Sequence, residues 1–398
     1  MANELAPSEI SMWVKPTRTI SPRPSDEEIN SKYGSRELRI VTESNREQLP
    51  NFVEALKRTG WMKLRPSYQR RPRWDRQRQS RLIESFIMNI PVPPLFVYES
   101  DLAKYEVMDG QQRITSIFEF YTNRYNLEGL QQWPELNGRI YDTLPSEIRK
   151  GLDRRSISYI VLLKESASTT EEEALLRQQV FERLNTGGVQ LSHQEIRNSL
   201  YQGKFNDLLL TAARDRRFRQ AWGVPEYSEE EERQLSDELA KNRNYVMMRD
   251  VEIGLRFFAL RHAQHYQRGM KGFLDLYMVR ARSFTDEDIA FLGDLFNKTV
   301  ELGHEIYGGL LFHPWDPKAQ QWAEKPQVAF ADAVMVGLSR HVESSAQLVT
   351  KRETVVTATK ELFVAHPSGT FTGRGNTKQD VQDRIRFYNE MVQRVIQE

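Results

Sequence analysis

Residues 95–121 read LFVYESDLAKYEVMDGQQRITSIFEFY. Leu95-Phe96-Val97-Tyr98 is a short apolar run rich in β-formers, and Tyr105-Glu106-Val107-Met108 alternates. Together they predict two strands joined as a hairpin across Glu99 to Lys104. The chain then turns at Asp109-Gly110 and enters a helix with apolar positions Ile114, Ile117, Phe118 and Tyr121. A strand handing over to a helix through glycine lets the backbone turn sharply and lets a ligand approach where no Cβ stands. The new helix offers free N–H groups and the positive end of its dipole, which suit a phosphate.

Working outward, a helix is predicted from about Arg76 to Asn89, with Leu82, Ile83, Phe86 and Ile87 on one buried face. Ile90-Pro91-Val92-Pro93-Pro94 stops it. Residues 45–60 read as an amphipathic helix ending at Gly60, and Ser158–Leu163 as a third strand. Thr169 with Glu172 opens a helix through about Leu184, and Asn185-Thr186-Gly187-Gly188 stops it. Beyond that, periodic stretches at 204–220, 229–241, 249–268, 285–306, 326–341, 345–364 and 376–397 all read as helices. The expected fold class is α+β: a small mixed sheet with helices, then a nearly all-α C-terminal half. The expected division is an irregular, Pro- and Ser-rich arm over 1–44, a domain over 45–215 and a helical domain over 216–398.

Composition narrows the chemistry. The chain has 398 residues, 39% hydrophobic and 28% charged, with a net charge of +1 and no cysteine. Disulfides, thiolate metal sites and cysteine nucleophiles are excluded together. No stretch has the ~18 consecutive apolar residues of a membrane span, and no export signal is read at the N-terminus. A cytoplasmic location is therefore expected, with no membrane partner. Near-zero net charge means that any nucleic-acid contact must be local. One local excess stands out: Arg65, Arg70, Arg71, Arg73, Arg76, Arg78 and Arg81 face a single acid, Asp75, with Tyr68 and Trp74 interleaved. Guanidinium forks suit phosphates and aromatic faces suit bases; a salt-bridged helix face is the competing reading. Glu229–Glu232 after Ser228 read as a solvated helix start. His262 and His265 share a helical spacing suited to a metal, but read better as a polar surface pair, without a His-Glu-x-x-His pattern.

Asp109-Gly110-Gln111-Gln112-Arg113 carries the sharpest chemistry. Asp109 suits Mg²⁺ or a positioned water, Arg113 a bidentate phosphate contact, and Gln111 and Gln112 bring amide donors and acceptors. As bare chemistry, a plain helix start with solvated glutamines fits as well. No Walker loop is present. Arg183 and Asn185, before the Gly187-Gly188 turn, suit a shared pocket or simply a helix end.

The combination resembles a known family. Tyr68-Gln69-Arg70, Trp74, the Leu82-Ile83 helix, Ile90–Pro94 and Asp109–Arg113 occur in order. Phe181-x-Arg183-Leu184-Asn185-Thr186-Gly187-Gly188 and Leu191-Ser192-x-x-Glu195-Ile196-Arg197 follow. This set is similar to the N-terminal domain family of GmrSD-type restriction systems (domain-of-unknown-function family 262), strongly over about 45–215. The resemblance implies a ParB/sulfiredoxin-like fold that binds and often hydrolyses a nucleoside triphosphate, with Mg²⁺, in prokaryotic defence against foreign or modified DNA. Carried over by position, the catalytic residues would be Asp109, Gln112 and Arg113, with Asp109 also the metal ligand. Tyr68, Gln69, Arg70, Gly110, Gln111, Arg183 and Asn185 would bind nucleotide. Arg71, Arg73 and Arg76 are the candidates for DNA. Sulfiredoxin chemistry is excluded by the missing cysteine. The HNH-like nuclease of two-part members is not read after about 215, so the chain is expected not to cut DNA alone and to serve a separately encoded effector. Two other classes compete with this reading: a DNA-binding module without hydrolysis, and a structural partner of an effector.

Overall fold

The computed structural model describes residues 5–13, 25–27, 30, 42–58, 60–63, 74–163, 180, 183, 192–201, 203–232, 236–367, 369–373 and 375–398. The chain forms two compact units. One runs from Thr19 to Gln190; the other combines Met1–Arg18 with Leu191–Glu398. The division near 215 therefore falls earlier, at 190/191, and the first residues of the arm belong with the helical unit. There Pro7–Ser11 form a short helix, α1, where the proline-rich composition had suggested an irregular segment.

The first unit is built on a five-stranded mixed sheet. Its strands are β1 (Thr42–Gln48), β2 (Met62–Lys63), β3 (Leu95–Asp101), β4 (Lys104–Asp109) and β5 (Ser156–Leu162), in the order β1-β5-β3-β4-β2. The β3–β4 hairpin forms as expected and turns at Leu102–Ala103. β3 pairs parallel with β5, and β2 parallel with β4, while β1 closes the edge antiparallel to β5. Among the described residues, helices α2 (Leu49–Lys57), α3 (Arg76–Ile87), α4 (Gln111–Tyr121) and α5 (Ser146–Asp153) accompany the sheet. Asp75 caps α3 by accepting from Arg78 N at 2.8 Å. Phe52, Ile83, Leu95, Val97, Ile114, Ile117, Phe120, Ile157 and Val161 form one core that fixes β3, β4 and α4 together. Residues 45–60 depart from the reading: β1 takes them as far as Gln48, and the helix begins only at Leu49. The expected helix after Thr169 lies almost wholly outside the described residues.

The second unit is helical. It continues with α6 (His193–Leu200), α7 (Lys204–Ala212), α8 (Arg216–Ala221), α9 (Asp237–Lys241), α10 (Arg243–Val246), α11 (Arg249–Leu260), α12 (Gly269–Arg280) and α13 (Asp286–Tyr307). Then come α14 (Val328–Ser339), α15 (Ser345–Thr350), α16 (Arg352–Ala365) and α17 (Lys378–Gln397). A two-stranded ribbon of Trp315–Asp316 and Gln321–Trp322 is the only sheet among its described residues. α14 is buried nearly all round and packs on α11, α13 and α17, as expected of a helix apolar on every face. Ser192 and Glu195 form the reciprocal cap that opens α6.

Candidate functional site

β4 delivers Asp109 to the edge of the core, and Gly110 makes the turn in the left-handed region, at φ 95° and ψ 10°. A side chain there is disfavoured twice. The conformation suits glycine, and a Cβ would lie 2.3 Å from Leu95 Cδ2. The first intrahelical bond of α4 runs from Ile114 N to Gly110 O. The N–H groups of Gln112 and Arg113 therefore have no intrahelical acceptor, and no side chain among the described residues caps this end.

Arg113 does something the sequence did not announce. Its Nη2 donates to Asp109 Oδ2 at 2.6 Å, and its Nη1 donates to Pro93 O at 2.5 Å and Pro94 O at 3.3 Å. The guanidinium thus clips the Pro93–Pro94 segment, just ahead of β3, to the end of β4. Arg113 is largely buried, whereas the Asp109 side chain keeps 41% of its exposure. Arg113 holds one oxygen of Asp109, and among the described residues no side-chain hydrogen bond is seen on the other. The arginine expected as a phosphate fork is thus committed to orienting the carboxylate. Gln111 and Gln112 are half-buried in the first turn of α4.

The remaining expected residues are less gathered. Tyr68, Gln69, Arg70, Arg71, Arg73 and Asn185 lie outside the described residues. Arg183 is exposed. Arg76 is engaged within the fold: its Nη1 donates to Gln79 Oε1 at 2.8 Å and Glu119 Oε2 at 3.0 Å, and its guanidinium stands 5.0 Å from the centre of the Tyr125 ring. Also in this unit, Tyr121 and Tyr141 stack at 4.4 Å and both donate to Asp153. Burial and that carboxylate push the Tyr141 hydroxyl up to about 12.

Two readings are corrected in the helical unit. The expected surface pair is split: His262 is fully buried and His265 is exposed. Glu9, also fully buried, accepts from Ala6 N at 2.9 Å, Arg261 Nη1 at 3.0 Å, His262 Nε2 at 3.0 Å and Tyr277 OH at 2.8 Å. Burial pushes the Glu9 carboxyl up, but the His262 hydrogen bond and the Arg261 charge outweigh it and hold it below its usual range. Likewise, Glu231 is not a solvated residue at a helix start. It forms a two-pronged pair with fully buried Arg219, at 2.7 and 2.8 Å. A lone charge in a Pro-rich arm, or in a run of four glutamates, carries no signal of its distant partner. Only Arg261, standing just after the apolar run of α11, hinted at one.

Among the described residues, no group of three or more His, Cys, Asp or Glu side chains is placed to hold a metal ion, and no helix is long and apolar enough to cross a membrane. Asp109 fits Mg²⁺ only as a single carboxylate ligand that shares the ion with a bound phosphate, a common mode for this cation. Residues 50–202 match the family model of the GmrSD restriction endonuclease, N-terminal domain. No curated protein and no solved structure matches the chain. The segment that bears the Asp109 turn thus belongs to a restriction-related domain family.

Proposed function

We propose that this GmrSD-type N-terminal domain binds a nucleoside triphosphate at the Asp109–Arg113 turn and hydrolyses its phosphoanhydride bond, as the sensor or regulatory part of a restriction-like defence system. The observation that carries this reading is the clip of Arg113 on Asp109 beside an uncapped helix start. The first-turn N–H groups of Gln112 and Arg113 offer donors to a phosphate. The absence of a Cβ at Gly110 makes room for Leu95 and the Arg113 guanidinium, so the turn can hold Asp109 against the helix start. The unclipped oxygen of Asp109 would hold Mg²⁺ shared with the phosphates, or the attacking water. Arg113 then acts through Asp109, as a positioning residue. Gln112 lies in the same first turn, within the sequence distance of a water or phosphate held there. Tyr68, Gln69, Arg70, Arg183 and Asn185 would complete the nucleotide contacts.

Foreign or modified DNA is the partner this class of domain would sense, with Arg71 and Arg73 as its contacts. Arg76 is the weaker candidate of the three, given its internal bonds. A separately encoded effector would carry out the cutting.

The test is thermal unfolding of the full chain with Mg²⁺ and each of ATP, GTP, CTP and UTP. A nucleotide at 100 times its Kd stabilises by about 2.7 kcal/mol. One nucleotide should raise the transition, and Arg113→Ala should abolish the rise. A panel in which no nucleotide shifts the wild-type chain, or in which Arg113→Ala responds like wild type, refutes the site.

A further inference from the structure

Glu9 does not stand alone in its burial. Two residues beyond α1 in sequence, at Trp13, the arm makes a second contact with the same histidine. Trp13 Nε1 donates to His262 Nδ1 at 3.0 Å, while His262 Nε2 meets Glu9 Oε1 at 3.0 Å. An indole nitrogen can only donate. His262 Nδ1 must therefore be the acceptor, which fixes the ring as the neutral form with its proton on Nε2. The Trp13 ring is also stacked on His265 at 4.8 Å and on Phe273 at 5.6 Å, with the Arg280 guanidinium 4.6 Å from its centre.

We propose that residues 5–13 form an acid-sensitive strap: neutral His262 holds the Trp13 indole and lets it go when Nδ1 takes a proton, while Glu9 stays seated. Protonation would set two N–H groups against each other, so the indole bond is lost. Glu9 keeps its bonds from Arg261, Tyr277 and Ala6 and gains a charged partner in the imidazolium. The charged and titratable groups around His262 are Glu9 from α1, Arg261 and His265 from its own segment, and Tyr277 and Arg280 from α12; Lys378 from α17 adds its charge at His265. Glu9 favours the imidazolium, and the cations oppose it. Burial, with the charges of Arg280 and Lys378, holds His265 below its usual range, so His265 gains its own proton less readily. The sign is clear: the indole is docked at higher pH and released as pH falls.

The experiment is fluorine NMR of the full chain labelled with 5-fluorotryptophan, with the Trp13 resonance assigned from Trp13→Phe and followed from pH 8 to pH 5. The expected result is a single transition as the pH is lowered across this range. It should vanish in His262→Gln, whose amide is neutral at every pH, and persist in His265→Gln. A Trp13 resonance that stays flat in wild type, or that still titrates in His262→Gln, overturns the proposal. Ring-nitrogen NMR of wild type decides the matter should His262→Gln fail to fold. Nδ1 should be unprotonated at pH 8 and gain its proton in step with the Trp13 shift. A proton already on Nδ1 at pH 8, or a His262 that stays neutral through the shift, overturns it.

Discussion

The Asp109–Arg113 turn and the Glu9–Arg261 cluster use the same pair of chemical groups to opposite ends. At the turn the carboxylate keeps 41% of its exposure and the pair closes within one helical turn, at 2.6 Å. In the helical unit both side chains are buried, and the carboxylate accepts from four separate groups. A carboxylate saturated by internal donors has nothing left for a ligand, and removing it strands every donor in a medium that does not solvate them. A carboxylate clipped on one side only is poised for a ligand and contributes little to stability. Burial and saturation, not residue type, separate the structural acid from the candidate functional one.

Four measurements can break or sharpen that contrast. The largest effect belongs to Glu9→Ala, which leaves Arg261, His262 and Tyr277 facing a void. Denaturant unfolding should show the helical unit destabilised by about 3–5 kcal/mol, and a loss under 1 kcal/mol would put the buried cluster in question. Next, Gly110→Ala combines a left-handed backbone with the 2.3 Å approach to Leu95. We expect about 2–4 kcal/mol of destabilisation in the other unit, together with loss of any nucleotide-dependent shift.

Third, Arg113→Ala should cost only about 1–2 kcal/mol, from its bonds to the proline carbonyls and Asp109, yet remove nucleotide binding by calorimetry. Equal losses for Arg113→Ala and Glu9→Ala would erase the distinction between the two pairs. The smallest signal near neutrality is the pH dependence of Glu9. Its folded carboxyl lies below its usual range, so its contribution is fully present above the unfolded value of about 4.3 and fades as pH falls through the folded one. The stability gap between wild type and Glu9→Gln should narrow below about pH 4.

The parts of the fold that were legible in sequence are those where local pattern and tertiary burial agree. β3 and β4 alternate or run apolar, α3 has an Asp cap and a buried stripe, and Ser192 with Glu195 writes a cap in four residues. β1 was hidden because TESNREQ carries no apolar residue; it is a strand through its pairing with β5 at the sheet edge. α12 escaped notice because glycines stand at 269 and 272, and its apolar residues crowd one stretch without a clear stripe. At the candidate site, the turn itself was legible, since Gly110 between a strand and a helix has few other uses. The role of Arg113 was not: its carbonyl partners at Pro93 and Pro94 lie 20 and 19 residues back, and no local spacing encodes that meeting.

The discontinuous helical unit has a consequence for how the protein is made. Glu9 and His262 are separated by 253 residues, and ribosomes add roughly 5–20 residues each second. The opening segment therefore waits on the order of ten to fifty seconds before its seat is synthesised. Through that interval the α+β unit can finish folding while Ala6 and Trp13 remain uncovered. A nascent-chain chaperone would find its handle there.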